Sequence, residues 1–198
     1  DVCSSDLCCL TSKFKTVATI GNYNNHIGVP LTILGISKEH QIAIVEMGAN
    51  HEKEIDFLCT IAQPNYGIIT NIGKAHIEGF KSTDGVKRAK KELYDYIYKK
   101  NGKVFVNNDD HILKEISKDI DSISYGKNGD TKGKIHAGSF FINILYDKHI
   151  IKTNLIGNYQ FYNIMLAICV AKHFQIHTQK IANALSIYEP QNNRSQVI

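Results

Sequence analysis

The residues able to do chemistry stand where apolar runs end. Glu46 closes the run Gln41 to Val45, with Gly48 two residues on. The run Tyr66 to Thr70 opens into Asn71-Ile72-Gly73-Lys74-Ala75-His76-Ile77-Glu78, and Lys103 to Val106 opens into Asn107-Asn108-Asp109-Asp110. A carboxylate and an imidazole in such loops could hold a hard cation beside a phosphate, since magnesium takes oxygen ligands and keeps several waters. They could equally be solvated loop residues. Lys90 gives a sharper signal: it falls four residues after Val86, inside the stripe Val86, Leu93, Ile97, while Lys87, Arg88 and Lys91 lie on other faces. An inward ammonium must be paired, neutralised or carried out to solvent on its stem. The amide-rich Gly21-Asn22-Tyr23-Asn24-Asn25-His26 and the segment Gly157 to Asn163, with Gln160 and Asn163, offer donors and acceptors for phosphate, carbonyl or a purine edge, or turn and cap residues. Arg194 could reach a phosphate or sit in solvent.

Those residues need strand ends to hold them, and the order of elements supplies such ends. Strands are predicted at Lys15 to Ile20, Gln41 to Val45, Tyr66 to Thr70 and Lys103 to Val106. Helices are predicted at Pro30 to Leu34, His51 to Ile61, Gly85 to Lys100, His111 to Lys118, Phe161 to Phe174 and Thr178 to Ser186. This alternation predicts an α/β fold, a mostly parallel sheet flanked by helices, because parallel neighbours require crossover connections. Period-two stretches in Ile135 to Ile156, with a turn at Tyr146-Asp147-Lys148, predict an antiparallel edge hairpin. In open sheets of this kind ligands bind outside the carboxyl ends of the strands, so Glu46 and His76 are expected to meet there.

The 198 residues suit one domain, and 43% hydrophobic with 21% charged residues is an ordinary globular composition. A net charge of +4 without an aromatic-interleaved basic stripe points to no nucleic-acid partner. No apolar run approaches the roughly 20 residues of a membrane span. The five cysteines form neither an even framework nor a metal-ligand spacing, so a cytoplasmic protein is expected. Residues 1–12 read as a non-matching leader or truncation scar, 13–189 as a nucleotide-binding domain, and 190–198 as the start of a link to a further domain.

Taken together, Thr19 to Thr32, Val45 to Asn50, Thr70 to Phe80, Ala89-Lys90-Lys91-Glu92-Leu93, Asn107 to Asp110, Gly157 to Asn163 and Asn193-Arg194-Ser195-Gln196 resemble the Mur ligase family, over residues 13 to 198. Within the family the likeness is to the ligase that adds D-alanyl-D-alanine to UDP-N-acetylmuramoyl-tripeptide. The resemblance implies an ATP-dependent amide ligase of peptidoglycan synthesis, with ATP and Mg²⁺ as cofactors. It implies Glu46 and His76 at the metal, Lys90 as a carbamylated lysine, and Asn163, Gln160, Arg194 and Asn71 near the nucleotide. Asn24 and Asn25 would face the acceptor, and catalysis would rest on Lys90 and His76. The family's glycine-rich phosphate loop ending in Gly-Lys-Thr is not found in these residues, and Tyr159-Gln160 stands where a His-Asn pair is frequent. Another ligase of the superfamily, including a folylpolyglutamate synthetase, or a non-catalytic nucleotide-binding module are the alternatives.

Overall fold

A computed structural model describes residues 2–73, 80 and 82–189. The chain divides into two compact units, one of residues 1–14, 107–109 and 124–198, the other of residues 15–106 and 110–123.

The second unit carries the strand ends. Strand β1 (Thr16–Ala18) pairs in parallel with β2 (Ile42–Ile44), and β3 (Tyr66–Ile68) pairs in parallel with β4 (Lys103–Asn107). Between them run the helices α2 (Gly28–Leu34), α3 (Glu54–Ala62), α4 (Thr83–Lys99) and α5 (His111–Ile116). Helix α4 starts at Ser82, whose hydroxyl accepts from the Gly85 amide, and α5 at Asp110, whose carboxylate accepts from Ile112 and Leu113. Val86, Ala89 and Ile97 make the buried face of α4 that the apolar stripe predicts. Ile97 and Tyr94 join Ile69, Val104, Val106 and Leu113 in one core cluster, and Tyr96 joins Val29, Ile55, Leu58 and Cys59 in another. Helix α2 begins two residues before Pro30, where the Asn25 side chain accepts from the Ile27 and Gly28 amides. Gly28 is required there: a Cβ would lie 2.3 Å from the Tyr23 backbone. Helix α3 begins at Glu54 rather than His51, because Lys53 takes a left-handed φ of 74° and the Glu54 carboxylate receives the Asn50 and His51 amides.

In the first unit, residues 2–11 form helix α1 (Val2–Thr11), with Cys9 and Leu10 buried. It packs on α6 (Gln160–His173) and α7 (Thr178–Ile187), and the Cys8 thiol meets the Ala184 carbonyl at 3.0 Å. Strand β5 (Ser122–Gly126) runs parallel to β6 (Thr131–His136) over a two-residue ladder. Strand β7 (Asn143–Tyr146) is antiparallel to β6 and to β8 (His149–Ile151). The β7–β8 turn falls at the predicted residues, with Asp147 and Lys148 both at positive φ, the twist that a two-residue hairpin loop demands. β5, whose alternation of Ile123 and Tyr125 with serines spans only four residues, and the first half of β6, which has no apolar residue, add two strands to those the sequence predicts. The fold class stands as expected: α/β with parallel ladders flanked by helices and antiparallel strands beside them. Among the described residues no helix is long and apolar enough to cross a membrane.

Candidate functional site

Two strand ends of the second unit converge on one cleft of about 250 Å³, lined by Met47, Gly48 and Ala49 after β2, Asn71 and Gly73 after β3, and Lys90 on α4. Strands β2 and β3 are not ladder partners among the described residues, so this convergence comes through the loops rather than through direct pairing as expected.

Glu46 is half-buried and held from the β1 side. Its amide donates to the Thr19 hydroxyl at 2.9 Å, and the Asn24 side-chain amide donates to Glu46 Oε1 at 2.9 Å. The Gly48 amide in turn donates to the Asn24 carbonyl at 2.7 Å, and a Cβ on Gly48 would come within 3.0 Å of the Asn24 side chain. Asn24 thus ties the loop after β1 to the loop after β2. Glu46 Oε2 has no hydrogen-bond partner among the described residues, which leaves a hard carboxylate oxygen suited to magnesium. Among the described residues no three His, Cys, Asp or Glu side chains cluster for a metal. His76, named from the sequence as Glu46's companion, lies outside the described residues, as does Arg194.

Lys90 is half-buried and its ammonium donates to the Asn71 carbonyl at 2.6 Å, three residues past the end of β3. Burial pulls its pKa below the ordinary lysine value, because the charged form loses solvation. No carboxylate lies within ion-pair distance of it among the described residues, whereas Lys87, Arg88 and Lys91 pair with Glu115, Glu52 and Asp95. Asn71 meets Lys90 through its backbone, and its side chain is exposed. Asn25 spends its side-chain oxygen on the Ile27 and Gly28 amides.

In the other unit, Gln160 and Asn163 lie in the first turn of α6, and Asn163 Nδ2 donates to Gln160 Oε1 at 2.8 Å. Gln160 is buried and Asn163 half-buried. Gly157, at φ 94°, makes the turn that starts this helix. The loop at Asn107 to Asp110 is consumed by structure: Asn107 accepts from the Asp109 amide, Asp109 accepts from Lys127 and Asn128, and Asp110 caps α5. Sequence reasoning missed Thr19 and Glu92. The Glu92 carboxylate receives the Lys53 and Asp56 amides from 39 and 36 residues away, a pairing with no local signal.

Parallel strand ends that meet a half-buried lysine at one cleft define an α/β domain with a polar site at its loops, and residues 7–171 match the family described as the Mur ligase middle domain. The chain belongs to the Mur ligase family. It is 33% identical over 203 residues to the UDP-N-acetylmuramoyl-tripeptide--D-alanyl-D-alanine ligase of Buchnera aphidicola subsp. Baizongia pistaciae, covering 93% of this chain and 42% of that protein. The crystal structure of MurF from Acinetobacter baumannii superposes with a TM-score of 0.86 at 29% identity, over 98% of this chain and 44% of that one. MurF from Thermotoga maritima in complex with ADP gives 0.77 at 26% identity, over 91% of this chain and 44% of that one. The chain therefore spans less than half the length of these relatives.

Proposed function

We propose that the protein containing this chain is an ATP-dependent ligase that joins D-alanyl-D-alanine to UDP-N-acetylmuramoyl-tripeptide in peptidoglycan synthesis, and that this chain contributes nucleotide-binding and catalytic groups. The supporting observation is Lys90, half-buried and bonded to the Asn71 carbonyl at the cleft between the β2 and β3 ends, in a chain similar to ligases of that name along nearly its whole length.

The reaction has two displacements. The tripeptide carboxylate attacks the γ-phosphorus of ATP, the bond to ADP breaks, and an acyl-phosphate forms. The dipeptide amine then attacks the acyl carbon, loses a proton, and expels inorganic phosphate as the amide forms. Chemistry of this kind rests on positioning and charge neutralisation. Magnesium held by Glu46 and His76 would supply charge neutralisation at the phosphates. Asn24 orients the Glu46 carboxylate through its 2.9 Å bond, while Asn24 and Asn25 line the acceptor side. Gln160, Asn163, Asn71 and Arg194 serve the nucleotide.

Lys90 in this reading is carbamylated. Its neutral amine, favoured by burial, attacks carbon dioxide and releases a proton, leaving an anion where an ammonium is disfavoured. The test is phosphate release by the intact protein, which should require ATP, the UDP-tripeptide and D-alanyl-D-alanine together. Equal release with a single amino acid in place of the dipeptide would replace this reading with another ligase of the superfamily.

A further inference from the structure

We infer that Glu92 is a positioning residue that holds one wall of the cleft against the helix carrying Lys90. The inference rests on the ligase reading for its catalytic consequence, and on geometry alone for its structural one.

Ala49, in the cleft wall, is followed by Asn50, His51, Glu52 and Lys53 before α3 begins, and Lys53 is in the left-handed region at φ 74°. A non-glycine residue persists there only when its surroundings determine it. The Glu54 carboxylate holds the Asn50 and His51 amides on one side of Lys53, and Glu92 holds Lys53 itself, its two carboxylate oxygens receiving the Lys53 amide at 2.5 Å and the Asp56 amide at 3.0 Å. A carboxylate gripping two amides at a helix start is a strong bidentate contact, favoured also by the helix dipole. Glu92 stands two residues after Lys90 on α4, so the same short piece of helix that presents the ammonium also fixes the segment four residues beyond Ala49. The Arg88 to Glu52 ion pair at 2.6 Å joins two exposed side chains and can fix little, and Ala49 packs on Val86 and Ala89 of α4 through apolar contact, which is non-directional. Glu92 grips backbone, and so, together with that packing, sets where the Gly48–Ala49 wall stands relative to Lys90.

The experiment uses the intact protein carrying Glu92→Gln, which is isosteric, and Glu92→Ala, with Glu52→Gln as the control. Three readouts are taken: amide hydrogen exchange over residues 50–57, the pH profile of Lys90 acylation, and kcat/KM for dipeptide-dependent phosphate release. The expected result is faster exchange at Lys53 and Asp56 and a Lys90 profile moved up toward that of an ordinary lysine. With these should come a loss of kcat/KM of about tenfold to a hundredfold, as for supporting residues that orient a site. Acetate should recover part of the loss in Glu92→Ala, and Glu52→Gln should behave as wild type. Unchanged exchange in Glu92→Gln would overturn the inference, as would faster exchange with an unmoved Lys90 profile and unmoved kcat/KM. If wild type itself releases no phosphate, the ligase reading falls, and exchange with Lys90 acylation still decides whether Glu92 sets the cleft.

Discussion

At Lys90 burial opposes charge, and the sign of its effect on stability follows. The folded pKa lies below the ordinary 10.5, so the fold disfavours the ammonium. The resulting cost is present below the folded pKa and fades as pH rises toward 10.5. Lys90→Met should therefore raise the Tm near neutral pH, with the gain shrinking as pH approaches 10.5, while abolishing most ligase activity in the intact protein. A thermal melt series against pH, paired with a phosphate-release assay, checks both halves. Stabilisation with loss of function is the pattern of a strained site residue, whereas a solubilising lysine would show neither. Cys59 offers a second residue-scale test. Burial, then the nearby Asp56 and Glu92 carboxylates, push its thiol up from 9.0 to about 12. Its neutral form is favoured by folding, so the stability it contributes is present below pH 9 and is lost as pH rises toward 12. Iodoacetamide at pH 8 should leave Cys59 unmodified in the native chain, and rapid alkylation there would contradict its burial.

Among the elements, loop-to-helix junctions position the cleft. Asp110 gives two of the lone amides of the α5 start, Ile112 and Leu113, a partner, so Asp110→Ala should cost about 1 kcal/mol, read as a shift in chemical denaturation midpoint. Gly48→Ala should displace the Asn24 amide and with it the Asn24 to Glu46 bond, because the added Cβ meets that side chain at 3.0 Å. Most elements were legible in the sequence, since α4 and α6 carry long apolar faces and β3 and β4 are bounded apolar runs. Helix starts were less so. Asn25 and Glu54 bond backbone amides beside the starts of α2 and α3, and which amides a side chain will reach depends on the turn as folded. The parallel step from β5 to β6 was missed because β6 is mostly exposed and shows no buried alternation. At the site, Lys90 could be read from helical periodicity, whereas Glu92 could not, since its partners lie on another helix 36 and 39 residues away.

For the whole molecule, the chain accounts for 42% to 44% of the length of its ligase relatives and contains no glycine-rich Gly-Lys-Thr loop. The β and γ phosphates of ATP depend on such a loop's amides and lysine. The 198 residues by themselves are therefore expected to give no ADP release dependent on D-alanyl-D-alanine, and robust release would contradict that dependence on a phosphate loop. An acyl-phosphate route through the Lys90 cleft fixes where one substrate oxygen must go, and isotope transfer in the intact protein follows that oxygen. UDP-tripeptide labelled with ¹⁸O in its terminal carboxylate is turned over with ATP and D-alanyl-D-alanine, and the released phosphate is analysed by mass. One labelled oxygen per phosphate is the predicted result, because the attacking carboxylate oxygen leaves with the phosphoryl group. Amide product formed alongside phosphate that carries no label would contradict it.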